Sequence, residues 1–80
     1  MSRFKAKDAF SGSSNMPIKT TETMHSLVIT NDGSANLTFK VVGNTYTLRP
    51  GYTFDEELEP FNTVEITATD AFFGYTRKRK

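Results

Sequence analysis

Residues Leu37 to Leu48 read LTFKVVGNTYTL, and this stretch decides the fold class. Phe39 and Val41 alternate with Thr38 and Lys40 on one side of Gly43, and Tyr46 and Leu48 alternate with Thr45 and Thr47 on the other. A period of two is the signature of a strand with one buried face. Gly43-Asn44 accepts positive φ and predicts a two-residue turn, which sets Val42 opposite Thr45, Val41 opposite Tyr46 and Phe39 opposite Leu48. In that register the apolar residues share one face and Lys40 and Thr47 share the other, as a half-buried antiparallel sheet requires.

Outward from the hairpin the same grammar recurs. Leu27 and Ile29 alternate through Ser26–Thr30, and Asn31-Asp32-Gly33 ends that strand with turn-forming residues. Arg49-Pro50-Gly51-Tyr52 offers Pro then Gly at the centre of a type II turn. Thr53 to Leu58 follows, with weak strand propensity across Asp55-Glu56-Glu57-Leu58-Glu59, and Pro60 is expected to end it. Val64, Ile66 and Ala68 alternate inward along Thr63–Thr69, and Phe72–Arg77 reads as the mate of that strand, with Asp70-Ala71 as the turn, Phe73 meeting Ala68 and Tyr75 meeting Ile66. Five or six short strands predict an all-β fold, a small antiparallel sandwich or barrel-like domain. The predicted core is Leu27, Ile29, Leu37, Phe39, Val41, Tyr46, Leu48, Phe54, Val64, Ile66, Phe73 and Tyr75.

Residues 1–24 read differently. Arg3, Lys5 and Lys7 surround Phe4, a Ser/Gly-rich run follows at Ser11–Asn15, and neither helical nor strand period persists. The expectation is an extended N-terminal arm over 1–24, ordered on assembly, joined to a β domain over 25–80 that ends in a basic tail. Phe4, Phe10, Met16 and Ile18 are spaced along this arm as apolar anchors for a neighbour.

Eighty residues make one domain with a thin stability margin. No cysteine is present, which removes disulfides and thiolate metal sites as staples and leaves oligomerisation or docking. Ten basic and nine acidic residues give a net charge of +1, too balanced for the whole-chain field of most nucleic-acid binders. The distribution is uneven. Asp55, Glu56, Glu57, Glu59, Glu65 and Asp70 lie in a stretch free of basic residues, and the sequence ends in Arg77, Lys78, Arg79 and Lys80. A basic tail on one copy meeting the Asp55–Glu59 cluster on the next would set the register of a repetitive assembly. No apolar run has the length of a membrane span and no signal-peptide pattern opens the sequence, so no membrane partner and synthesis in the cytoplasm are expected.

Catalytic chemistry has little to stand on. His25 is the only histidine and has no nucleophile or carboxylate at a telling spacing. The acidic cluster lacks the spacing of a calcium loop. No enzymatic activity, no catalytic residues, no metal and no cofactor are therefore expected.

The stretch Leu27–Tyr75 resembles small β-sandwich modules of virion-associated and prophage proteins of Gram-positive bacteria. The resemblance lies in the order of its parts: the strand ending Thr30-Asn31-Asp32-Gly33, the hairpin at Gly43-Asn44, the Pro50–Asp55 stretch, the Glu59-Pro60-Phe61 corner and the Val64–Thr69 strand. It implies a structural or attachment protein of a bacteriophage-like particle, in head, neck, tail or baseplate, located in the virion and docked in many copies on a larger virion structural protein. The parts expected to dock are Phe4, Phe10, Met16 and Ile18, the carboxylates of Asp55, Glu56, Glu57 and Glu59, and the cations of Arg77, Lys78, Arg79 and Lys80. The rival readings are a carbohydrate or cell-wall binding module, with Tyr46, Tyr52, Phe61 or Phe72 as a stacking platform, and a small nucleic-acid binder using the two basic ends.

Overall fold

A computed structural model describes residues 4–79. The order of elements is β1 (Phe4–Gly12), β2 (Met16–Asn31), β3 (Leu37–Val41), β4 (Asn44–Leu48), β5 (Thr53–Thr67) and β6 (Phe72–Arg79). They form one antiparallel sheet in the order β1-β6-β2-β5-β3-β4. The all-β class holds, and the sheet is open, with β1 and β4 at its edges.

Two long strands make this sheet fold over itself. Met16–Lys19 of β2 pairs with Thr63–Ile66 of β5, and Ser26–Thr30 pairs with Thr53–Glu57. Between these runs the register slips twice around the Met24↔Phe61 pair, and such bulges bend and twist a strand. Phe54 shows the result. It pairs with Ile29 in one half of the sheet, yet its ring centroid lies 5.0 Å from those of Phe39 and Tyr46 in the other. The interior between the halves holds Leu27, Ile29, Leu37, Phe39, Val41, Leu48, Val64, Ile66 and Phe72, all buried. Pro60 does not end β5, which runs on through it to Thr67. It sits in the slipped stretch, where the partner strand asks for no ladder donor.

Residues 4–24 are part of this sheet and not an arm detached from it. β1 pairs along β6 from Phe4↔Arg79 to Gly12↔Phe72, and the first half of β2 brings Ile18 and Met24 into the core at 7% and 0% exposure. The strand period here is broken in two places, which hides it in the sequence. Asp8 takes a φ of +52° where β1 slips between Lys7 and Phe10, and β2 slips between Lys19 and Met24.

The β3–β4 hairpin forms two residues away from its predicted register. Leu37 pairs with Leu48, Phe39 with Tyr46 and Val41 with Asn44, so the turn is Val42-Gly43. Both registers sort the two faces identically, because their pairings differ by an even step. The observed one adds the Leu37/Leu48 pair and stacks Phe39 on Tyr46 at 5.4 Å. In return Val42 takes a φ of +52°, a conformation that is unfavourable for a β-branched residue. The Pro50-Gly51 turn forms as expected, with Gly51 at φ +82° and the Tyr52 amide donating to the Arg49 carbonyl at 3.1 Å.

β6 departs furthest from expectation. It forms no hairpin with β5. It lies across β2, pairing Thr30 with Phe73 and Val28 with Tyr75. Phe72, Gly74 and Thr76 face inward, and Phe73 faces out at 47% exposure. Gly74 explains the choice of face. A Cβ built there would lie 2.2 Å from the Val28 carbonyl oxygen and 2.8 Å from Cζ of Phe10, so Phe10 fills the space that a larger residue would need.

Two polar side chains, the buried Asn31 and the half-buried Asp70, tie together the loops that follow β2, β4 and β5. Asn31, 1% exposed, donates through Nδ2 to the carbonyls of Ala35 and Leu48, both at 2.8 Å, and accepts from the Gly33 amide at 3.0 Å through Oδ1. Asp70 accepts from the amide and hydroxyl of Ser34 at 2.9 and 2.8 Å and from the Ala71 amide at 2.8 Å. These bonds hold the Asp70 carboxyl below the usual carboxylate range. Gly33 allows the approach, since a Cβ on it would meet Asp70 Cβ at 2.5 Å.

Candidate docking surface

The residues expected to act on a neighbour are largely used within the chain. Ile18 is core, and Phe10 and Met16 pack against that core, with the Phe10 ring 6.4 Å from Phe72. They are structural anchors of β1 and β2. The Phe4 side chain and Lys80 lie outside the described residues.

The charged groups are also paired internally. Arg77 bridges Asp55 and Arg79 bridges Glu57. Both bridges cross over β2, because Ser26 pairs with Arg77 on one side and Glu57 on the other. Ser26 takes part as well: its hydroxyl accepts from Arg77 Nε at 3.1 Å and donates to the Glu56 carbonyl at 3.1 Å. Thus the acidic cluster and basic tail expected to join successive copies are neighbours in one sheet. Lys78 bridges Glu22, which Lys7 also bridges. These two ammonium groups, Lys7 foremost, hold the Glu22 carboxyl down to about 2, and Glu22 raises Lys7 in turn. Glu56 and Glu59 are exposed and form no ion pair among the described residues. Glu57, Glu59 and Arg79 line a shallow groove with Leu58 and Pro60. His25 accepts the Arg79 amide through Nδ1 at 3.1 Å, which ties β6 to β2.

The outer face of β1, β6, β2 and β5 carries a group that sequence reasoning placed in the core. Register puts Ser11, Phe73, Thr30 and Thr53 in one row across four strands, and Tyr75, Val28 and Asp55 in the next. Phe73 therefore stands exposed between hydroxyl groups, with the Thr30 and Thr53 hydroxyls hydrogen-bonded to each other at 2.8 Å. Tyr52, 59% exposed, precedes β5 at the same end of the sheet. The signal that marks Phe73 is Gly74. A glycine inside a strand indicates close approach on its own face, and its neighbours must then face the other way. Of the aromatic platform named from sequence, only Tyr52 is exposed: Phe61 and Phe72 are buried, and Tyr46 packs on the core. No family model, curated protein or solved structure matches this chain.

Proposed function

We propose that this chain is a structural attachment protein that docks onto a larger protein through the outer face of β6, β2 and β5. The observation that carries the reading is Phe73, a large aromatic side chain nearly half exposed at 47% in the middle of a continuous sheet face. It is bordered by the hydroxyls of Ser11, Thr30 and Thr53 and, further along, by the Arg77–Asp55 pair. An aromatic anchor inside a polar rim is the usual composition of a docking patch. The setting in a bacteriophage-like particle, with many copies on a virion structural protein, rests on the likeness of Leu27–Tyr75 to virion-associated modules.

Phe73→Asp tests it, because an exposed site tolerates the change while the docking patch does not. Loss of an anchor costs about 2 kcal/mol or more, roughly 30-fold in affinity. The variant is expected to melt like the parent and to drop out of purified particles. Incorporation equal to that of the parent refutes the reading. The same ring among hydroxyls also suits stacking on a sugar, and binding of the parent to cell-wall polysaccharide, lost in Phe73→Asp, would favour that second reading.

A further inference from the structure

The sheet leaves four stretches of backbone edge without a ladder partner among the described residues: β1, the side of β2 from Met16 to His25 that faces away from β5, the side of β5 from Thr53 to Val64 that faces away from β2, and β4. Open edges pair with other chains unless charge, proline or a bulge prevents it. β1 has Lys5, Lys7, Asp8 and a bulge between Lys7 and Phe10, and the open stretch of β2 has Pro17, Lys19, Glu22 and a bulge between Lys19 and Met24. The free side of β5 has Asp55, Glu56, Glu57, Glu59 and Pro60. β4, Asn44–Leu48, has none of these: its sequence is NTYTL and its register with β3 is unbroken.

From this contrast we infer that β4 is a self-association edge and that its occupant is β4 of a second copy of this chain. The hydrogen-bonding direction along β4 follows from the turn. A two-residue turn makes Val41 and Asn44 a mutually hydrogen-bonded pair, so alternation commits Tyr46 and Leu48 to β3 as well. The amides and carbonyls of Thr45 and Thr47 then point to the open edge, and both residues are exposed. Thr45-Tyr46-Thr47 is chemically symmetric about Tyr46. A two-fold axis at Tyr46 sets Thr45 against the partner's Thr47 and the reverse, which makes about four backbone hydrogen bonds and two threonine pairs. Charge selects this antiparallel arrangement. Arg49 follows β4 directly, and antiparallel pairing carries the two Arg49 side chains to opposite ends of the seam, whereas a parallel seam in register would bring them together. The product is one continuous sheet across two copies.

This edge is separate from the outer face that carries Phe73, so the two readings fail independently. Sedimentation of the full chain over rising concentration is expected to show a monomer–dimer equilibrium, weakened at least tenfold by Thr47→Lys and unchanged by Phe73→Asp. A second variant, Thr47→Pro, removes an edge-facing N–H and the Thr47 side chain while leaving the β3 ladder its donors, and is expected to act in the same way. In the parent, the amides of Thr45 and Thr47 should exchange with solvent more slowly as concentration rises, a readout that holds even if the variants fail to fold. A parent that stays monomeric to millimolar concentration overturns the inference. So does association that leaves those two amides exchanging at an unchanged rate, or that Phe73→Asp abolishes while Thr47→Lys does not.

Discussion

Gly74→Ala separates two placements of β6 by the sign of its effect. If β6 were the hairpin mate of the Thr63–Thr69 strand, with Phe73 and Tyr75 inward, Gly74 would face solvent. An alanine there would then stabilise by about 0.5–1 kcal/mol, through reduced freedom of the unfolded chain. In the structure Gly74 faces inward, and its Cβ would lie 2.2 Å from the Val28 carbonyl oxygen, 2.9 Å from Cα of Ile29 and 2.8 Å from the Phe10 ring. Two of these three atoms are backbone of the central strand β2, which cannot yield without breaking its ladder with β6. Overpacking costs about 1–3 kcal/mol where side chains can adjust and more where they cannot; about 3 kcal/mol or more is expected here. A chain of this length has a total stability of roughly 4–12 kcal/mol, and each kcal/mol moves the melting temperature of a small domain by about 4–8 °C. The variant should therefore melt on the order of 15 °C or more below the parent by circular dichroism, with a matching fall in the urea midpoint. Phe10→Ala combined with Gly74→Ala should not restore the loss, because the Val28 carbonyl remains in place. A Gly74→Ala protein that melts with the parent or above it refutes the inward placement of this strand face.

Val42→Asn should raise stability by about 1 kcal/mol, since asparagine tolerates the positive φ that Val42 adopts at the hairpin tip, where valine is only 40% exposed and gives up some packing; a chemical melt that shows no gain would count against a strained turn. Ile18→Ala should cost about 2–5 kcal/mol as a core truncation, whereas a side chain on a solvated arm would lose almost nothing, and limited proteolysis should spare Gly12–Lys19 in the parent. Glu22, held at about 2 against an ordinary 4.5, contributes stability that is fully present above about pH 4.5 and is lost as pH falls towards 2. Acid melts of Glu22→Gln should accordingly show a shallower decline across that window, and a decline as steep as the parent's would remove Glu22 as its source.

The parts of the fold legible in the sequence are those governed by local alternation and turn chemistry. Leu27 and Ile29, Val64 and Ile66, and the Pro50-Gly51 turn all stand where the pattern places them. The hairpin at Gly43 is legible as to face, but its register is decided by Leu37 meeting Leu48 and Phe39 meeting Tyr46, pairings that the two-residue turn alone leaves open. Residues 4–24 are not legible because bulges at Asp8 and between Lys19 and Met24 interrupt the period that would reveal strands. The partner of β6 is not legible either. A neighbour in sequence is the usual mate of a strand, yet β6 crosses to β2, and the one local clue is the glycine in Phe-Phe-Gly-Tyr. The exposure of Phe73 follows from that crossing to β2, so it is not legible in local sequence either. The charged residues were legible as two complementary sets, and their pairing within one copy depends on β2 lying between β5 and β6.

That internal pairing divides the outer face into two ends with different consequences for docking. At one end Phe73 stands in a row with Ser11, Thr30 and Thr53 and carries no formal charge. At the other, Arg77 with Asp55 and Arg79 with Glu57 already satisfy one another. Exposed bridges of this kind add little to stability, but a partner that covered them would have to desolvate two charges for each bridge, at a cost that new contacts recover only with good geometry. A partner centred on Phe73 avoids this, because it buries a ring and meets hydroxyls that can redirect their hydrogen bonds. Docking through the Phe73 end should then vary little with ionic strength, while docking that ran through the arginines in exchange for Asp55 and Glu57 would weaken as salt screened it. Particle incorporation measured from low to high salt distinguishes the two, and a steep loss with salt would move the contact from the aromatic end of the face to the charged end.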